Sequence, residues 1–383
     1  MSHGLTHRER LLRAARGEPV DRVPISPPVG FDPVAWEEHW TNVDPPADPL
    51  WHEVARLCAE HCDCLVQIPG PVGQLFDRRF LLTPVEYIKA LPPTQEGDWR
   101  VQRHTVHTPK GDLTTTDLDQ PAIGTSWYVE PLVKTVEDAE ALLSVPYEFE
   151  PPDLSSSLAY LDQVGDRGLT EIGVSTPMVS VSRLMRFDQF LLWCRTERDL
   201  IHRLIATMYE RVRLGLEHAL KLGLGPVVWM GGSEQATPPM MGPGMYDEFV
   251  AAYDGPLMDL VRSYGGLVHV HCHGRIRGAL PRLLGMGVDL LDPVEPPPDG
   301  DVTMAEARRI VGSRLTLLGN IEARELEFSS PSRIDELVRT AILEGGRYRT
   351  VLYPSACPIV PLTRRYRDNA LAYLEAGLRY GSL

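Results

Sequence analysis

The sequence predicts an α/β fold, a single (β/α)8 TIM barrel with one inserted β-hairpin, and three observations carry that expectation. From about residue 168 onward, short apolar runs alternate with helical patterns. Six such units fit into the last ~215 residues with short links, the pattern of a parallel sheet, and their number favours a closed barrel over an open sheet. A length of 383 residues suits a barrel with insertions, since such barrels run from about 250 to more than 400 residues.

Taken in order, the opening "THRERLLRAARGEPVDRVP" begins a helical segment expected over about residues 1–60, and "VPISPPVG" and "CLVQIP" are candidate early strands. "WRVQRHTVHTPKGDLTTTDLD" alternates about a "PKGD" turn, which predicts a hairpin over about 99–120. The regular part follows. "EIGVST", "PVVWMGG", "LVHVHC", "VDLLDP", "LTLLGN" and "TVLYP" are short, β-rich and bounded by Gly, Pro or Asp, as buried strands are. Between them, Ile201, Leu204, Ile205, Met208, Val212, Leu216 and Leu220 form one helical stripe. Thr196 with Asp199, Thr303 with Glu306 and Ser332 with Asp335 have the spacing of capping boxes. Gly381 marks the end of a last helix whose face includes Tyr366, Ala370, Leu374 and Leu378. No repeat or low-complexity linker interrupts the chain, so 1–383 is expected to form one domain.

Composition narrows the partners. A formal charge of −14 disfavours phosphate backbones and anionic lipid, so neither nucleic acid nor a membrane surface is expected. No signal-like apolar core and no uncharged run of spanning length is present, which makes a cytoplasmic protein the expectation. Six cysteines in so long a chain do not form a disulfide framework. The group Cys58, Cys62 and Cys64 lacks the spacing of a zinc knuckle and is expected to be structural.

Chemistry concentrates in "HVHCHG". Side chains alternate along a strand, so His269, His271 and His273 share a face from which Cys272 points away. At the C-terminal rim of a barrel strand, His271 and His273 can hold zinc, with His269 one layer deeper. Cys357, just past the last strand, and Glu234, just past the strand "VVWMG", complete a sensible ligand set. Glu234 and Glu295 are also candidate catalytic carboxylates. Glu295 and Glu322 follow strand ends, where a carboxylate either meets substrate or caps a helix. An amidohydrolase-type zinc site needs histidines on later strands, and none follows His273.

The opening segment, "VHCHGRIRGALPRLLGMGVDLLDPVEPP", "RLTLLGNIEA" and the terminal "DNALAYLEAGLRYG" together resemble the uroporphyrinogen decarboxylase superfamily. That resemblance implies a barrel, a homodimer and one of two activities. The metal-free decarboxylases carry an Arg-Gln-Ala-Gly-Arg segment that holds substrate carboxylates; the corresponding region here reads "VPISPPVGFDPVAWEEHW". The cobalamin-linked branch, similar to methylcobalamin:coenzyme M methyltransferase, binds zinc through His-x-Cys-Gly and a distant Cys. Here His271-Cys272-His273-Gly274 has a histidine in place of that cysteine, while Cys357 in "PSACPIVP" matches the distant one. Two imidazoles and one thiolate leave zinc one positive charge, which Glu234 as fourth ligand would cancel.

The resemblance therefore implies a zinc-dependent methyltransferase acting between a small methylated compound, a corrinoid and a thiol or similar nucleophile. No Asp-x-His-x-x-Gly segment is present, so the corrinoid is expected on a separate protein or free in solution. The alternatives are a metal-free carboxy-lyase and a non-catalytic barrel with a structural zinc.

Overall fold

Seven parallel strands form one curled sheet in the computed structural model, which describes residues 4–36, 51–76, 87–120, 125–356, 358 and 362–382. In sheet order they are β1 (Cys64–Gln67), β7 (Gly168–Ser175), β8 (Val227–Gly231), β9 (Leu267–His271), β10 (Leu290–Val294), β11 (Thr316–Ile321) and β12 (Thr350–Pro354). Beyond β12 the chain supplies one more parallel contact. Ile25 bridges Leu352, and its carbonyl accepts from Asp63 N–H at 2.7 Å, so this segment bonds to β12 and to the residue before β1.

Parallel strands put all their C-terminal ends on one side, and the opposite end is plugged. The helix His7–Arg16 starts with a capping box between Thr6 and Glu9, and its Leu11 and Ala15 are buried with Leu169, Val227, Leu290, Leu318 and Val351. All five lie in the strands of the curled sheet, which leaves the other rim for chemistry. Outside the sheet, the helix Arg198–Lys221 buries its whole expected stripe, at about 1.5–3 kcal/mol per large apolar side chain.

Two caps fall elsewhere than their spacing suggests. Thr196 is the last residue of the helix Phe187–Thr196, and its hydroxyl donates back to Leu192 O; the next helix starts at Arg198 without a side-chain cap. Ser330, not Ser332, caps the helix Pro331–Gly345, because Pro331 fits the first helical position, where its missing N–H costs nothing. Thr303 and Glu306 do form a capping box, and the last helix, Arg364–Gly381, ends at Gly381.

Between β1 and β7 lies a five-stranded antiparallel sheet. The hairpin β4 (Trp99–Thr108) and β5 (Gly111–Gln120) turns at Pro109–Lys110, with Thr108 opposite Gly111. Strands β2 (Ile88–Ala90) and β3 (Thr94–Glu96) pair with β4, and β6 (Thr125–Glu130) pairs with β5. Val106 and Leu113, opposite each other on the hairpin, join the main core and fasten this sheet to it. Among the described residues, no helix is long and apolar enough to cross a membrane.

Candidate active site

Three histidines climb from the interior to the rim of the sheet. Side-chain exposure rises from 1% at His269 through 22% at His271 to 36% at His273, which fixes His269 as the deepest. Cys272 faces the other way and is fully buried, as alternation requires.

Each imidazole is held through Nδ1 by a carboxylate in or just past another strand. His269 Nδ1 contacts Glu171 on β7 at 2.9 Å, and Gln67 Nε2 donates to the same carboxylate at 2.7 Å. His271 Nδ1 contacts Asp292 at 2.9 Å, a pairing set by the register that puts Asp292 beside His271. His273 Nδ1 contacts Glu295 at 2.8 Å, and Gly274 N–H donates to the other oxygen of that carboxylate at 2.5 Å. Gly274 can aim its N–H there because its φ of +74° is open to glycine and strained for other residues. The rings of His271 and His273 lie 4.5 Å apart, edge to face, and Trp229 packs 4.9 Å from His271. Gly231 permits that packing: a Cβ there would lie 2.4 Å from the indole.

The electrostatics follow from this pairing. Burial opposes a charge on His269, but Asp292 and Glu171 overcome it and raise its pKa to about 10. Burial likewise opposes ionisation of Asp292, yet His269 and His271 hold it well below the usual carboxylate range. At the rim, burial works against charge on His273 while the bond to Glu295 raises its pKa, and Glu234 adds to the rise. Glu295 resists burial through His273 and the Gly274 N–H and stays below its ordinary value. Glu322 has no such partner: burial and the charge of Glu295 push it up to about 7.

Glu234 lies in a short 3-10 turn, Ser233–Ala236, after β8, and its buried Oε2 has no hydrogen-bond partner. Cys357 lies outside the described residues. Tyr353 to Ala356, the residues leading to it, line the same cavity as His271 and His273. Among the described residues, no three His, Cys, Asp or Glu side chains converge closely enough to hold an ion. The donor chemistry nonetheless fits zinc. Both imidazoles are oriented through Nδ1 by a carboxylate, which is the outer-shell arrangement of zinc-ligating histidines and leaves Nε2 free. The orphaned Glu234 oxygen is a further donor without a partner. Asp292, Glu171 and Trp229 were not singled out from the sequence. The signal was there for Asp292, a charged residue inside the apolar run "VDLLDP".

A curled parallel sheet with a polar cluster at its C-terminal rim defines a barrel-type α/β protein with its site where such folds carry chemistry. Residues 117–371 match the model of the family uroporphyrinogen decarboxylase (URO-D), and the chain belongs to that family. No curated protein matches it significantly. Among solved structures it is similar to a methyltransferase from Methanosarcina mazei, with a TM-score of 0.58 and 17% identity over 98% of this chain and 99% of that one. A 3-keto-D-glucoside 4-epimerase from E. coli aligns over 60% of this chain and 97% of its own, at 11% identity and a TM-score of 0.34.

Proposed function

We propose that this chain is a zinc-dependent methyltransferase of the family, working in a (β/α)8 barrel whose eighth position is the segment around Ile25. The observation that carries the reading is the pair His271 and His273, each tied by Nδ1 to its own carboxylate and free at Nε2, at the wall of one cavity. His271 and His273 would hold the metal through Nε2 with Cys357 as third ligand, and Glu234 would join as fourth only once its carboxylate turns toward them. Zinc bound there would supply a Lewis acid that lowers the pKa of an acceptor such as a thiol. Asp292 and Glu295 fix the two rings in the tautomer that presents Nε2. Glu234, half-buried with its Oε2 unpartnered, can instead take the acceptor's proton through that oxygen if it stays unligated.

The runner-up, a metal-free carboxy-lyase, is disfavoured by the cavity. Its described lining includes no Lys or Arg to hold a polycarboxylate. A corrinoid, as methyl carrier, would come from a separate protein or from solution.

The test is metal analysis of untagged protein from zinc-replete growth beside His273→Ala and Cys357→Ser. Near one equivalent in the wild type and clear loss in both variants is expected; less than about a tenth of an equivalent in the wild type sinks the reading. Methyl transfer is then followed spectrally with methylcobalamin and a panel of thiols.

A further inference from the structure

The cavity in front of His271 and His273 holds about 630 Å³, room for a small molecule. Its walls are aromatic and acidic. Phe31, Tyr160, Trp229 and Tyr353 contribute rings, Asp32 and two histidine-bound carboxylates contribute charge, and no described lining residue is a lysine or arginine. Asp292 and Glu171 are taken up by His271 and His269. Asp32, also in the lining, is different. Its Oδ1 accepts from the Val34 and Ala35 N–H groups, at 2.7 and 3.4 Å, and it meets the Tyr160 hydroxyl, but it has no cationic partner among the described residues. Aromatic walls together with a carboxylate that has no ion-pair partner favour organic cations and repel anions.

We propose that this cavity binds a small methylated ammonium ion, with Asp32 as counter-charge and Trp229 and Tyr160 as the aromatic wall. The proposal rests on the cavity's being the substrate site of a methyl-transfer enzyme, and it names the methyl donor's class. The chemistry agrees. When the nucleophile that receives the methyl group attacks its carbon, a bond to that carbon forms, the C–N bond breaks, the electron pair stays on nitrogen, and an uncharged amine leaves. An anionic donor would gain nothing from these walls.

The test is calorimetric binding to the full-length, metal-containing protein of choline, of its uncharged carbon isostere 3,3-dimethylbutan-1-ol, and of succinate. Choline should bind at least about tenfold more tightly than the isostere, with no succinate binding. Asp32→Asn keeps an oxygen to accept from Val34 and Ala35, so the turn survives; it should weaken choline about five- to tenfold and leave the isostere unchanged. Trp229→Leu should weaken choline to a similar degree, with metal content checked in parallel. Equal affinity for choline and isostere, no saturable choline binding, or unchanged choline binding in both variants overturns the proposal. Choline binding without methyl transfer would sink the methyltransferase reading alone. Methyl transfer from an uncharged methyl ether, with no cation bound, would sink only this one.

Discussion

Asp63 and Asp292 are both buried carboxylates in contact with histidine, and their surroundings are completed in opposite ways. Asp63 accepts from Arg10 and Arg22 at 2.6 Å, from Ile25 N–H at 3.0 Å, and contacts His7 Nδ1 at 3.0 Å. Every lone pair in reach is used. Asp292 meets His271 through one oxygen and pairs with the buried His269 through the other, 2.8 Å from its Nε2. At the same rim, just past the ends of β8 and β11, Glu234 Oε2 and Glu322 Oε1 are buried without partners. A saturated cluster ties the N-terminal helix to the start of β1; an unsaturated one keeps atoms available for something that is not protein.

The contrast breaks first at Asp63. Asp63→Ala leaves two guanidinium groups beside an empty space, and a loss of about 3–5 kcal/mol is expected in urea unfolding, with metal content per folded molecule unchanged. Acid sharpens the same point. Burial resists ionisation of Asp63, but His7, Arg22 and Arg10 hold its pKa below the ordinary value. Its stabilisation is therefore present above the unfolded carboxyl's pKa of about 3.9 and is lost as pH falls towards the folded value. In Asp63→Asn, this part of the acid-side loss should vanish.

At the rim the expected effects are reversed. His273→Ala should lower zinc affinity by at least about 100-fold in a competitive chelator titration, while metal-free stability stays within about 1 kcal/mol of the wild type. A large stability loss with metal retained would make the rim histidine structural, like His7. Glu295→Gln is expected to be milder, about 10- to 100-fold in zinc affinity, because the amide still occupies the space but no longer holds the His273 tautomer by charge.

How much of this was legible follows from which signals are local. The strands from β7 to β12 could be read because each is a short apolar run bounded by turn residues. The histidine face could be read because strand alternation alone determines it. The carboxylate partners could not. Asp292 meets His271, and Glu171 meets His269, only through the register between strands and the layers it stacks. The short strands β2 and β3, "IKA" and "TQE", are mostly exposed and carry no apolar period, so pairing with β4 alone defines them. Ser332 with Asp335 offers a competing local signal, but Pro331 at the first helical position makes Ser330 the cap.

Glu322 gives the smallest expected effect and the sharpest test of what an unsaturated site costs. It follows β11, its Oε2 accepts from Ser355 at 3.1 Å, and its Oε1 is buried and alone. Burial and Glu295 raise its pKa to about 7, so the folded chain holds this proton more tightly than the unfolded one does. The sign is opposite to that of Asp63. Stability contributed by the neutral acid is fully present below the unfolded pKa of about 4.3 and declines as pH rises to about 7, above which the penalty is complete. Glu322→Gln removes the ionisation, and so should stabilise the protein by on the order of 1–3 kcal/mol at pH 8 and by little at pH 4. Urea unfolding of both proteins at the two pH values checks it. An equal change at both would mean that the carboxyl finds a partner, and that the rim is closer to the saturated state of Asp63 than its orphaned atoms indicate.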